Sequence, residues 1–268
     1  MFSGLRGPKQ PVLGTEFAGD VSQVGAGVRR FSAGQRVFGY TGVRFGAHAE
    51  YLTISELAMI DRMPDGLSYA QTAASTEGAH YALNLLRATR VRSGQNVLVN
   101  GATGAIGSAA VQLLVERGVR VTAVCPGAHR DLVSSLGADR VIDSGRDDFT
   151  RLTERFDVVF DAVGKSSFRR CRSLLTRRGI YVSSDLGFLA QNPLLALVTP
   201  LLRRRRVLFP IPRDTAADVV FLTYLLAEGS FRPVDDREYP LERIRDAFEY
   251  VERGQKLGNV LIRVRPED

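Results

Sequence analysis

The run Asn100-Gly101-Ala102-Thr103-Gly104-Ala105-Ile106-Gly107 follows an apolar stretch, Gln95 to Asn100, and opens a segment with helical patterning. Glycines at such a junction suit phosphate chemistry. Without side chains, the backbone lets a pyrophosphate approach the free amides at a helix amino terminus, where the dipole favours negative charge. Gly104 and Gly107 best suit the close approach and the helix–strand packing, and Gly101, Thr103, Ala105 and Ile106 complete the turn. The spacing is GxxGxxG and not GxGxxG. The strand–turn–helix setting therefore carries the dinucleotide-binding reading over that of a purely structural turn.

A second position bears on which dinucleotide. Enzymes that use NAD(H) usually place Asp or Glu at the end of the second strand, on the ribose 2′-hydroxyl. Here that segment reads Ala123-Val124-Cys125-Pro126-Gly127-Ala128-His129-Arg130, without a carboxylate. Arg130, with His129, can pair with a 2′-phosphate that an acid would repel. NADP(H) is thus favoured over NAD(H). The alternative makes Arg130 a solvated residue at a helix start, beside Asp131.

The elements that must position these residues change character near residue 90. Before it come short, glycine-punctuated strand-like runs: Phe17 to Val24, Arg36 to Gly39, and His48 to Ile54. These read as a small β-rich unit. Ser68 to Arg90 is helical in pattern. Strands then alternate with helices: Gln95–Asn100, Val119–Cys125, Arg140–Asp143, Asp157–Asp161, Gly179–Ser183 and Arg206–Ile211. Six strands with a glycine turn after the first predict an α/β fold with a doubly wound parallel sheet. A helix over Thr215–Glu228, an amphipathic stretch over Leu241–Arg253 and a terminal strand from Asn259 follow. The terminal strand is expected to return to the first domain, because the six-stranded sheet is already complete.

The 268 residues, 44% hydrophobic and 24% charged, have the composition of a globular protein. The amino terminus has no apolar core of signal-peptide length, and no apolar run is long enough for a transmembrane segment. Two cysteines make no disulfide framework, so a cytoplasmic location is expected. The net charge of +7 fits a phosphorylated cofactor or an acidic membrane surface. No zinc-finger spacing, RNP-like motif or basic heptad region supports nucleic-acid binding.

The glycine turn, with Gly14-Thr15-Glu16-Phe17-Ala18-Gly19 and the run Gly34 to Tyr51, resembles the quinone oxidoreductase branch of the medium-chain dehydrogenase/reductase family. So do Gly137 to Asp143, Phe160-Asp161-Ala162-Val163-Gly164, and Tyr239 to Val260. The resemblance implies a partial GroES-like substrate domain over 1–90, a Rossmann domain over 91–228 and a return to the GroES-like domain over 229–268. It implies NADPH-dependent hydride transfer to an enone, quinone or related carbonyl, and a homodimer. It adds Ala162, Val163, Gly164 and Cys125 to the cofactor set, and Tyr40, Tyr81 and His80 as candidates to polarise the carbonyl. Relatives often carry an aromatic where Ser144 stands. They also begin with several strands before the Gly14 region, and their absence here predicts a weak or inactive NADP(H)-binding protein as the alternative.

Zinc-dependent relatives carry a ligand histidine where this chain has Thr15, and four clustered cysteines where it has two in all, so no metal is expected. Arg203 to Arg206 follow the apolar stretch Phe188 to Leu202. They read either as a solvated helix end or as an interfacial anchor making peripheral membrane contact.

Overall fold

The computed structural model describes residues 3–4, 7–8, 10–202 and 204–265, with side chains over 10–201 and 204–265. Arg203 of the arginine run lies outside the described residues. The chain forms two compact units: Met1–Glu77 with Asp214–Asp268, and Gly78–Arg213.

In the first unit, β1 (Ser3–Gly4) and β2 (Gly7–Pro8) pair antiparallel. Strands β3 (Glu16–Asp20), β4 (Arg36–Tyr40) and β5 (Met59–Arg62) form an antiparallel sheet in that order. Phe31, Val37 and Ile60 are buried on it, with Phe17, Val21, Val28 and Ile54 against them. The strand expected over His48 to Ile54 does not form. Its start is held where the His48 amide donates to Leu13 O at 2.9 Å, and the third strand is Met59–Arg62 instead.

The helical pattern from Ser68 to Arg90 is two helices. The first, α1 (Tyr69–Ala73), starts at a capping box between Ser68 and Gln71. The second, α2 (Glu77–Thr89), starts where the Glu16 carboxylate accepts the amides of Thr76 at 3.2 Å and Glu77 at 2.6 Å. A carboxylate from a distant strand thus does what an N-cap side chain ordinarily does. It also accepts the Thr76 hydroxyl at 3.0 Å.

The second unit continues with β6 (Asn96–Asn100), α3 (Ala105–Glu116), β7 (Arg120–Cys125), α4 (Arg130–Ser135), β8 (Arg140–Asp143), β9 (Phe156–Asp161), α5 (Phe168–Cys171), β10 (Leu175–Ser183), α6 (Gln191–Val198) and β11 (Arg206–Leu208). The six strands are all parallel in the order β11-β10-β9-β6-β7-β8, the doubly wound arrangement the alternation predicts. Helices cover such a sheet on both faces, so its strands are apolar nearly throughout. Leu98, Val124, Ile142, Val159, Tyr181 and Val207 accordingly share one buried core.

Helix α7 (Ala216–Ala227) groups with the first unit, whereas the sequence reading ended the dinucleotide domain after it, at 228. It packs on β5, and Thr223 Oγ1 donates to Asp61 Oδ2 at 2.8 Å. Strands β12 (Asp235–Pro240) and β13 (Asn259–Arg263) pair in parallel around α8 (Ile244–Glu252). Asn259 Nδ2 donates to Ala74 O and Val234 O, both at 3.0 Å, which ties the terminal strand to the first unit. Among the described residues, the strands of this unit form three separate ladders.

Burial and the neighbouring Glu77 push the Glu16 carboxyl up to about 7, against the opposing pull of the Thr76 and Glu77 donors. Burial also raises Glu77, while Thr15 and Lys256 lower it. Burial lowers Lys256, which Glu16, Glu77 and Asp236 oppose. An acid raised in the folded state leaves folding unpenalised below its unfolded value and penalised once it ionises. Stability should therefore fall as pH rises from about 4.5 to about 7. Glu16→Gln keeps an acceptor for the amides and removes the charge. Thermal unfolding should then show a slope over this window smaller by a few degrees, on the order of 1 kcal/mol. An unchanged slope would place the titration elsewhere.

Candidate functional site

The turn at the carboxyl end of β6 is built by contacts that only glycine allows. A Cβ on Gly107 would lie 2.1 Å from Gly101 O, so the second turn's backbone seats directly on the first. Gly101 has φ +83°, and a Cβ there would meet Val163 Cγ1 at 2.4 Å. The amides of Gly101 and Ala102 donate to Val124 O at 3.0 and 3.1 Å, locking the turn to β7. Gly104 is different: its nearest neighbour to a Cβ is 3.7 Å away. Space is open on that side, and Gly104 is the residue from which α3 starts, with no side-chain cap.

The first intrahelical bond runs from Ser108 N to Gly104 O at 2.8 Å. The amides of Ala105, Ile106 and Gly107 therefore have no acceptor within the helix. Three amides, the helix dipole and an open Cβ position have the chemistry to hold an anionic group such as a pyrophosphate. Thr103, Ala105 and Ile106 are half-buried along this turn. Gly78, in the first turn of α2, would place a Cβ 2.6 Å from Ala105 O, so α2 begins against the same helix start.

One buried carboxyl organises the neighbouring loop. Asp161, fully buried at the end of β9, accepts Asn100 Nδ2 at 3.0 Å, the Ser166 amide at 2.8 Å and the Tyr181 hydroxyl at 3.1 Å. Burial and the charge of Asp161 push the Tyr181 phenol far up, which keeps it a donor. Asp161 Oδ1 also accepts the Val163 amide at 3.4 Å, and Val163 lies against Gly101, while the Ala162 amide donates to Asn100 O at 3.0 Å. The structure thus brings Val163 to the glycine turn from about sixty residues away in sequence.

At the end of β7, Cys125 is buried and its thiol is pushed up by burial, which suits packing rather than reaction. His129 is half-buried and Arg130 is exposed, with its Nη1 donating to Val141 O at 3.1 Å. The second strand ends without an acid, but its neighbour supplies one. Asp143, at the end of β8, accepts the amides of Gly127 at 2.8 Å and Gly145 at 2.9 Å. Arg146 reaches it at 3.6 Å and is otherwise exposed.

The carbonyl-polarising candidates come from both units. His80 is buried, with Nδ1 3.3 Å from Asn84 Nδ2. Tyr81 is half-buried with its ring edge-on to His80 at 5.4 Å. Tyr40, buried at the end of β4, belongs to the other unit. Thr15 Oγ1 donates to Glu77 Oε2 at 3.0 Å. Sequence reasoning did not single out Asp143, Arg146, Gly78 or Asp161 as functional. A polar residue ending an apolar strand is the available signal for Asp161. The contact of Asp143 with Gly127 depends on strand order, which local sequence does not state.

Two family models match the chain: "Alcohol dehydrogenase GroES-like domain" over residues 1–65 and "Zinc-binding dehydrogenase" over 136–262. The 2-methylene-furan-3-one reductase of Solanum lycopersicum is 30% identical over 99% of this chain and 66% of its own length. The chloroplastic NADPH-dependent alkenal/one oxidoreductase of Arabidopsis thaliana is 28% identical over 97% of this chain and 66% of its own. The chain thus spans just under two thirds of the length of these relatives. The quinone oxidoreductase from Coxiella burnetii superposes with a TM-score of 0.85 at 25% identity, covering 96% of this chain and 81% of that one. The Escherichia coli quinone oxidoreductase complexed with NADPH superposes with a TM-score of 0.79 at 25% identity, covering 94% and 82%. A doubly wound sheet with a glycine turn, a GroES-like segment before it and these matches make the chain a quinone-oxidoreductase-like member of the medium-chain dehydrogenase/reductase family.

Proposed function

We propose that this protein is an NADPH-dependent oxidoreductase that passes hydride to an enone, a quinone or a related carbonyl without zinc. The observation that carries the reading is the cradle at Gly101–Gly107, where two glycines are sterically required and the third faces open space. The bound nicotinamide would supply the hydride, and the protein's part is to hold and orient it. The amides of Ala105, Ile106 and Gly107 take the pyrophosphate, and Val163, 41% exposed, offers an apolar contact beside it. Tyr40, Tyr81 and His80 are kept as the candidates to polarise the substrate carbonyl, His80 and Tyr81 lying edge to face. Thr15 has no imidazole to give a metal and its hydroxyl is committed to Glu77, which supports a metal-free reaction. The homodimer that the resemblance implies is retained as part of this reading, and light scattering tests it.

Arg130 and Arg146 are the cations assigned to a 2′-phosphate, and the amides of Gly127 and Gly145 already hold Asp143. A second reading rests on the same acid: if Asp143 turned to a ribose 2′-hydroxyl, NADH would be the better ligand. Titration decides between them. NADPH should bind tighter than NADH, and Arg130→Ala with Arg146→Ala should narrow the gap by roughly tenfold or more, as expected for lost charge-assisted contacts. Tighter NADH binding would favour Asp143.

Gly104→Ala should weaken NADPH binding by roughly tenfold while costing no more than about 1 kcal/mol of stability, because the apo site has room for a methyl. Gly107→Ala should destabilise the second unit itself by about 1–3 kcal/mol. If Gly104→Ala bound NADPH normally, the pyrophosphate would not lie in the turn.

Chelation should leave cofactor binding and reduction of a short enone unchanged. Stoichiometric zinc in the purified protein would sink the metal-free part of the reading. Tight NADPH binding without consumption of any enone or quinone would instead make the chain a cofactor-binding protein.

A further inference from the structure

Helix α8 has two faces of different chemistry. Ile244, Ala247, Phe248 and Val251 recur at i, i+3, i+4 and i+7 and make its apolar side. Ala247 is buried there, and Phe248 meets the His48 ring edge-on at 6.1 Å. The same spacing places Asp246, Glu249, Tyr250 and Arg253 on the other side. With Arg237 and Tyr239 of β12, and Arg243 just before the helix, they line a cavity of about 300 Å³. Its lining belongs entirely to the first unit, whereas the glycine turn belongs to the second. A cavity of this size is large enough for a small organic ligand.

The lining is held in place by its own contacts. The Tyr250 hydroxyl donates to Asp236 Oδ2 at 2.6 Å, and the same oxygen accepts the Leu257 amide at 3.0 Å. The ring is thereby pinned. The Arg237 guanidinium lies 4.2 Å from the centre of that ring. Stacking fixes its charge while N–H groups in its plane can still reach a ligand. Arg237 is 57% exposed, and the acid it approaches, Asp236, stands 3.8 Å away. The Tyr239 ring, 6.4 Å from that of Tyr250 and tilted by 41°, adds a second aromatic surface. Arg243 is committed to Asp246 at 2.6 Å. Arg253 is exposed and forms no ion pair among the described residues.

Charge decides what fits. The segment Asp235 to Arg253 holds seven acids and four arginines, so its surface repels a polyanion such as a nucleic acid or an anionic membrane. Within the cavity the balance reverses, with three arginines against two acids. The surplus positive charge sits beside two phenol rings. We infer that this cavity binds a small aromatic carboxylate, its oxygens on Arg237 and Arg253 and its ring against Tyr239. A guanidinium pairs with a carboxylate through two parallel N–H bonds, and a flat ring buries apolar area on a tyrosine. A phosphate monoester fits less well, because its second charge would face Glu249.

Titration calorimetry with 2-naphthoate tests the inference, and NADPH is titrated separately so that either reading can fail alone. The dissociation constant should be on the order of a millimolar or below, as expected for a ligand of so few atoms. The uncharged 2-naphthamide and the ringless acetate should each bind at least about tenfold more weakly. Arg237→Gln and Arg253→Gln should each weaken 2-naphthoate by roughly tenfold, with NADPH affinity and circular dichroism retained. Arg245→Gln removes an exposed charge of the same helix outside the lining and should leave binding unchanged. Four results would overturn the inference. No binding at millimolar concentration is one, and equal binding of the naphthamide is another. The third is an affinity indifferent to both arginine variants, which would place the ligand elsewhere. The fourth is tighter binding of 2-naphthyl phosphate, which would give the cavity to phosphate esters.

Discussion

The buried carboxyl of Asp161 is the interaction on which the parallel sheet and the glycine turn depend. A carboxyl taken out of water is costly unless donors surround it. Asn100, Ser166 and Tyr181 supply those donors from β6, from the loop after β9 and from β10. Three consecutive neighbours in the sheet are thereby locked at their carboxyl ends, where an open α/β sheet binds its ligands. Because Asn100 is the last residue before the glycine turn, the lock sets both where the turn starts and where Val163 meets it. Removing any one donor would leave the others converging on an under-satisfied group, so the arrangement holds as a unit.

The first unit rests on a comparable device. Glu16 lies on an antiparallel strand, yet its carboxylate caps the helix that leads into the second unit. Its neighbours Thr15, Thr76, Glu77 and Lys256 share the charge, and burial pushes both acids up and the lysine down. Each of the two units thus relies on an acid in a place where an apolar residue would pack more cheaply. Both acids are spent on holding backbone amides or polar groups in a fixed direction. Fixed direction is what a site needs, since a cradle misplaced by an ångström loses much of its effect.

Local chemistry was legible in the sequence wherever it is local in space. The glycine turn and the alternation of strands with helices follow from residue type and period, because each strand–turn–helix unit is decided locally. The apolar segment followed by arginines was equally visible. Which of its side chains face inward was not, because only packing shows which side of α6 the sheet takes.

What required the tertiary structure is whatever depends on neighbours distant in the chain. Composition placed no acid at the end of β7, and yet Asp143 reaches Gly127 because β8 lies alongside. Ser68 to Arg90 has an uninterrupted helical pattern, and yet it breaks at Thr76 because Glu16 captures two amides there. His48 to Ile54 alternates like a strand, and yet it stays unpaired while Met59–Arg62 takes the sheet edge. Helix α7 was assigned to one domain by its position and joins the other by its packing on β5. A sequence fixes the period and polarity of each element. Which strand lies beside which, and which side chain then finds a backbone donor, is settled only when hydrogen bonds and apolar faces are satisfied together.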